Sequence, residues 1–415
     1  MAEAPIIPMI SPITKYAKEI NAPQKIRFYL EKALYLATNG RPGPVALSIP
    51  LDVQSANISE YELESYNEPD VEKTISCSKE DIDCITEELF NAKRPVIICG
   101  HGVRLAGAMN SLKEFVEKHS IPVVTTFMGI DSLEDNSPCN IGRIGTKGTR
   151  AGNFALQNSD LVLSLGSRLS VSTIGFEYEL FAREARIIVV DIDLTEHKKK
   201  TIDIDKIIQA DVGYVISKLI SNLQDDICYS DWLVRCLDWK TKYPVVLKEY
   251  EDDTSGINYY KMVDEICNHA PADTVFISDA GSSFFVVAQT LKNKEKQRHI
   301  TTGGTATMGF AVPASYGACV AQRNSTIVCI TGEGSFMQNM QELESIRYHA
   351  FNAKIFVMCN NGYYSIRNHQ KKFFNSNYVG SEVGSGISFT DLELLSKAFN
   401  IDYLSKNLSI QSNKD

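Results

Sequence analysis

The sequence predicts an α/β fold of parallel sheets covered by helices on both faces. Three observations predict it. Ile327-Val328-Cys329-Ile330 and Lys354 to Cys359 (KIFVMC) are short runs that are almost uniformly apolar rather than alternating, as strands buried on both faces are. A helical pattern lies between them, with Phe336, Met340, Leu343 and Ile346 recurring at steps of four, three and three. Polar turns close both runs: Thr331-Gly332-Glu333-Gly334-Ser335 after the first and Asn360-Asn361-Gly362 after the second. A helix joining two neighbouring strands makes them parallel, so both turns fall at the carboxyl edge, where open α/β sheets bind ligands.

In chain order, a helix is expected through Glu31-Lys32-Ala33-Leu34, and the acidic, polar stretch 59 to 82 reads as a linker. Strands are expected at Pro95 to Cys99, Pro122 to Thr126, Leu161 to Leu165 and Ile187 to Val190, with helices between them. Gly100-His101-Gly102 with Gly107 matches the dinucleotide fingerprint poorly, so His101 reads as a turn residue and bound FAD is not expected. Trp232 and Trp239, beside Leu233 and Leu237, fit a helix packing between domains. Ser335 and Gln338 form an S-x-x-Q capping box, which predicts a helix opening at Ser335 with its free N–H groups and positive dipole end aimed at a diphosphate. Gly332 and Gly334 would let the backbone approach that ligand. His349 falls at the end of this helix, and Asn368 to Lys372 reads as a solvated helix face. A last helix from Thr390 to Phe399 precedes a polar tail, Ser409 to Asp415.

At about 150 residues per domain, a chain of 415 residues holds roughly three domains, expected at 1–60, 75–222 and 255–415. A hydrophobic content of 44% with 22% charged residues is that of a soluble globular protein. The net charge of −9 argues against nucleic-acid binding, which needs a basic surface. No apolar run reaches membrane-spanning length and the N-terminus lacks the pattern of a signal peptide, so a cytoplasmic protein with no membrane partner is expected. The ten cysteines form no CxxC pair and read as reduced, structural thiols.

The chemistry of the two turns follows from their donors. Glu333 offers a carboxylate and Asn360 an amide oxygen, 27 residues apart, and a backbone carbonyl can join them. Such hard oxygen donors suit Mg²⁺ or Ca²⁺ and are poorly suited to zinc. Mg²⁺ usually arrives with phosphate.

These turns resemble the signature of the thiamine diphosphate enzymes of the acetolactate synthase and pyruvate decarboxylase superfamily, G-D-G-S followed after a spacer by N-N. Glu333 stands here for the usual aspartate and Cys359 for the first asparagine. The resemblance implies a magnesium site of Glu333, Asn360 and the Gly362 carbonyl. Gly303 to Pro313 is similar to the family's G-G-x-G-x-M-G-[FY]-G-[LV]-P segment, which would make Met308 the wedge under the thiazolium ring and the Ala306 carbonyl the acceptor for the pyrimidine amine. Asp279-Ala280-Gly281-Ser282-Ser283 sits where the family has its other diphosphate loop. The cofactor contacts carried over are therefore Gly281, Ser282, Ser283, Ala306, Met308, Gly332, Gly334 and Ser335. The implied fold is a set of three-layer, parallel-sheet domains: the end of a pyrimidine-binding (PYR) domain, a central α/β domain and a diphosphate-binding domain.

The family's glutamate that protonates the aminopyrimidine lies in the part of the PYR domain that would precede Met1, so no catalytic residue is assigned. Both ends of the chain are expected to be truncated. The resemblance implies thiamine diphosphate and Mg²⁺ as cofactors and a 2-oxo acid such as pyruvate as substrate. It also implies a homo-oligomer, or a partner supplying the PYR domain. The segment Gly362-Tyr363-Tyr364-Ser365-Ile366-Arg367 lacks the tryptophan that acetolactate synthases use to prefer 2-ketobutyrate. Two readings stand: a decarboxylating or carboligating enzyme component, and a non-catalytic remnant that keeps the fold.

Overall fold

The computed structural model describes residues 4–69, 75–250 and 256–405. The expected tail from Ser409, and parts of the expected linker and of the limit at 255, lie outside the described residues. Every strand pairing within the three sheets is parallel. Near the N-terminus, β1 (Tyr16–Glu19) and β2 (Val45–Ser48) pair across the helix Ile26–Thr38.

The middle of the chain forms β3 (Pro95–Cys99), β4 (Val123–Thr125), β5 (Asn140–Arg143), β6 (Leu161–Leu165), β7 (Arg186–Asp191) and β8 (Lys206–Gln209). Their order in the sheet is β5-β4-β3-β6-β7-β8. Ile97, Ile98, Val162, Ile188 and Val189 are fully excluded from solvent, which explains why these strands read as unbroken apolar runs. The tryptophan helix, Ser230–Lys242, belongs to this core rather than lying between domains. Trp232 Nε1 donates to the Pro95 carbonyl at 3.1 Å, and its ring meets Trp239 edge-on. A buried indole N–H needs such an acceptor, and the end of β3 provides it.

The C-terminal sheet contains β9 (Val275–Ser278), β10 (Arg298–Thr301), β11 (Ile327–Gly332) and β12 (Ala353–Met358), in the order β10-β9-β11-β12. Alternate residues of its two central strands face opposite ways. Phe276, Val328 and Ile330 pack with the helix Ser282–Thr290, whereas Val275, Ile277, Ile327 and Cys329 pack with the helix Ala311–Ala321. The result is the expected three-layer arrangement. The chain moves from β9 outward to β10 and then crosses to β11 on the other side, so the topological switch lies between β9 and β11.

One expected element differs. The helix after β11 is two short pieces, Glu333–Phe336 and Glu342–Tyr348, linked by tight turns in which amides bond three residues back. Gly332 caps the first piece and Ser335 lies inside it, so no S-x-x-Q box forms. The break coincides with a tertiary bond: Asn339, a poor helix former, turns its side-chain amide onto the Gly309 carbonyl at 2.7 Å. Phe336, Leu343 and Ile346 still enter the core.

The central and C-terminal bodies meet at Asp131. This buried carboxylate accepts from Arg104 Nε, Arg298 Nε and the His299 N–H, each at 3.0 Å. His299 is itself buried, with Nε2 3.0 Å from the Ser278 hydroxyl. Burial pushes this imidazole down to about 4, against the opposing pull of Asp131. Its proton is therefore taken up by the unfolded chain near the ordinary value of about 6.5 but by the folded chain only near pH 4. The corresponding stability is complete above about pH 6.5 and declines as the pH falls toward 4, by about 3 kcal/mol. Urea midpoints measured across this window should drop, and His299→Gln should flatten the slope. An unchanged slope in the variant would assign it to other groups.

Candidate functional site

The site is assembled where β9, β11 and β12 end. Asp279, the first residue after β9, is fully buried and gathers three segments. One carboxylate oxygen accepts the Ala280 N–H at 2.8 Å; the other accepts the Ala311 N–H and the Thr331 hydroxyl, both at 3.1 Å. These bonds tie the Ala280–Ser283 turn, the start of the helix Ala311–Ala321 and the end of β11 to a single anion. A buried carboxylate is tolerated because donors of this kind replace its water.

Glu333 follows β11 and is 5% exposed. Its Oε1 accepts the N–H groups of Asn360 and Gly362 at 3.0 and 2.9 Å, so the two halves predicted from sequence are brought together. The Cys359 thiol donates to the Val357 carbonyl at 3.7 Å. Although Cys359 is an exposed residue, partial burial of its sulfur and the Glu333 charge push the thiol up to about 11, which keeps it a neutral donor. Asn360 Oδ1 is buried with no hydrogen-bond partner among the described residues. An orphaned buried acceptor is costly unless something meets it.

Glycines 334 and 362 serve the chain itself. A Cβ on Gly334 would lie 2.2 Å from the Tyr363 ring, and one on Gly362 would lie 2.3 Å from the Ser381 carbonyl. Gly334 therefore makes room for Tyr363. Gly332 is open, the nearest atom to its Cβ position being Ser283 Oγ at 4.0 Å. Gly281 takes a left-handed φ of +64° and leads into the helix Ser282–Thr290. With nine residues this helix carries a larger dipole than the single turn after Gly332, in which Ser335 lies.

Ala306 and Met308 lie in the loop between β10 and Ala311, held on the same edge by Asp279 and by Asn339. Ala306 adopts φ +50°, a strained value for a residue with a Cβ. Met308 is half-buried. In the central sheet, the switch-point crevice is filled by backbone: a Cβ on Gly100 would approach the Gly166 carbonyl to 2.1 Å. His101 opens a short helix there, with Nδ1 2.9 Å from the Met128 carbonyl. His349 ends the helix Glu342–Tyr348, stacked on Phe351. Sequence reasoning missed the Asp279 hub, Tyr363 and the Ser381–Glu382 strap. Only the polar residue closing the apolar run of β9 could have marked Asp279.

The donors present fit a hard divalent cation. Glu333 has one oxygen committed to two amides, and Asn360, which supplies one of those amides, leaves its own Oδ1 buried and unpartnered. Mg²⁺ takes few protein oxygens and completes its shell with phosphate and water. No cluster of three or more His, Cys, Asp or Glu suited to a metal occurs among the described residues, so a softer site has no counterpart there.

Residues 82–219 match the family described as thiamine pyrophosphate enzyme, central domain, and residues 279–413 match thiamine pyrophosphate enzyme, C-terminal TPP binding domain. The chain is 30% identical over 402 residues to the acetolactate synthase large subunit of Lactococcus lactis subsp. lactis (strain IL1403), covering 97% of this chain and 68% of that protein. It is also 30% identical over 390 residues to the acetolactate synthase isozyme 2 large subunit of Escherichia coli (strain K12), covering 94% and 68%. The acetolactate synthase large subunit of Cyanidium caldarium is 30% identical over 397 residues, covering 92% and 66%.

Removing the hub should be costly. Asp279→Ala leaves three buried donors unpaired and is expected to destabilise the fold by about 3 to 5 kcal/mol. Thr331→Val removes one of the three and should cost about 1 kcal/mol. Urea denaturation of both variants measures this, and a loss below about 1 kcal/mol for Asp279→Ala would contradict the hub.

Proposed function

Because the chain belongs to the family of thiamine diphosphate-dependent, acetolactate synthase-like enzymes, we propose that it is a magnesium-dependent decarboxylase or carboligase acting on a 2-oxo acid such as pyruvate. The carrying observation is the buried Glu333 carboxylate bonded to the Asn360–Gly362 turn, with Asn360 Oδ1 left unpartnered. When bound, thiamine diphosphate supplies a carbon nucleophile and an electron sink for loss of carbon dioxide.

The residues of this chain hold and orient. Glu333 and Asn360 would hold Mg²⁺, joined by the carbonyl of Gly362. The Gly281–Ser283 turn and the open Gly332 receive the diphosphate. Met308 and Ala306 support the ring portion from the loop before Ala311. The proton needed at the aminopyrimidine comes, in this reading, from a pyrimidine-binding domain brought over the edge. That domain belongs to a second copy of the protein or to a partner chain. The exposed Tyr364 and Ile366, on the first turn of the helix that follows the second polar turn, and Phe373 and Phe374 at its far end favour such a cover. A cytoplasmic location is supported by ten free thiols, and no helix among the described residues is long and apolar enough to cross a membrane.

The test is carbon dioxide release from pyruvate with Mg²⁺ and thiamine diphosphate, with and without a polypeptide spanning the pyrimidine-binding domain of a relative. Turnover should rise on adding the polypeptide, since acid–base assistance is worth about 10² to 10⁴-fold. Asn360→Ala should abolish it, whereas Asn361→Ala should lower it less. No turnover in a demonstrated complex would turn the reading toward a non-catalytic protein, and the reverse order of the two variants would overturn the assignment of Asn360.

A further inference from the structure

We propose that Arg367, paired with Glu382, is the positioning residue that fixes the metal-holding turn, an inference that rests on the magnesium reading above. Arg367 lies on the helix Tyr364–Phe373, directly after the Asn360–Gly362 turn, and its side chain is 22% exposed. Nη2 donates to the Asn360 carbonyl at 3.2 Å. Nη1 stands 3.7 Å from Glu382 Oε2 and 3.2 Å from the Cβ position of Gly362. A single planar guanidinium thus contacts the turn and the strap that covers it.

The strap is anchored independently. Gly362 and Glu382 face each other in an antiparallel bridge, with the Tyr363 N–H donating to the Ser381 carbonyl at 2.8 Å and the Val383 N–H to the Asn361 carbonyl at 3.3 Å. Within this frame Asn360 is held through both of its backbone polar groups: its N–H donates to Glu333 and its carbonyl accepts from Arg367. Fixing both leaves the side chain as the only free polar part. The backbone from which the buried, unpartnered Asn360 Oδ1 projects is thereby held in place. The fork of arginine suits this task because one nitrogen hydrogen-bonds the Asn360 carbonyl while the other stands in ion-pair range of Glu382, which a lysine ammonium on a flexible stem does less well. Glu382 offsets the positive charge that would otherwise oppose a nearby cation.

Groups that orient a metal ligand change affinity about 10 to 100-fold when removed. Mn²⁺ titrated into the full chain with thiamine diphosphate, followed by electron paramagnetic resonance, reads this without turnover. Arg367→Gln should weaken Mn²⁺ binding by at least about tenfold, Arg367→Lys should recover part of the loss, and Glu382→Gln should weaken binding less than Arg367→Gln. A wild-type chain that binds Mn²⁺ and an Arg367→Gln variant that binds it as tightly overturn the proposal alone. A wild-type chain that binds none overturns the magnesium reading and the proposal with it. If Arg367→Gln does not fold, unchanged Mn²⁺ affinity in both Arg367→Lys and Glu382→Gln overturns the proposal.

Discussion

A buried anion, the Asp279 carboxylate, sets the geometry of the candidate site. An ionised side chain fully removed from water is tolerated only if donors surround it, and here each donor comes from a different part of the C-terminal body. The turn after β9, the entry to the helix Ala311–Ala321 and the end of β11 cannot move apart without uncovering that charge. Glu333 repeats the device one step outward, where its carboxylate draws in the amides of the turn after β12. Two nested carboxylates therefore hold the turns at the carboxyl edge of a parallel sheet together at its switch point.

The central body supports this edge from the side. Asp131 binds arginines from both bodies, and Phe127 meets Phe284 edge-on with centroids 5.2 Å apart. The loop carrying Ala306 and Met308 rests against that body: a Cβ on Gly303 would lie 3.0 Å from Met128 Sδ, and one on Gly304 3.8 Å from Arg168 Nη1. With its own switch-point crevice filled by glycine backbone, the central sheet here positions the loop of its neighbour.

Strands buried on both faces were legible because burial forces uniform apolarity: β3, β6, β7 and β11 all carry that mark, and β12, an edge strand only partly buried, is apolar enough to be read with them. The strands β8 (KIIQ) and β10 (RHIT) mix polar with apolar side chains, and β5 (NIGR) buries the polar Asn140 and Arg143, so periodicity alone misses all three. The pairing of Glu333 with the Asn360 turn was readable because both close strands of one βαβ unit. The broken helix after Glu333 was not, because the break coincides with a tertiary bond from Asn339 to a carbonyl 30 residues away. The packing of Gly334 was hidden for a similar reason: the group it makes room for, Tyr363, lies in another turn. Arg367 and Glu382 carry no local signal at all; only the folded strap places them together.

The central claim is that Glu333 and Asn360 share one hard cation at the carboxyl edge of the C-terminal sheet. A crystal of the full chain grown with Mn²⁺ and thiamine diphosphate, measured for anomalous scattering of manganese, tests it most directly. The account predicts one peak bonded to both the Glu333 carboxylate and Asn360 Oδ1, at about 2.0 to 2.2 Å as for octahedral oxygen coordination. A peak bonded to neither residue, or thiamine diphosphate bound on that edge without any metal, would contradict it.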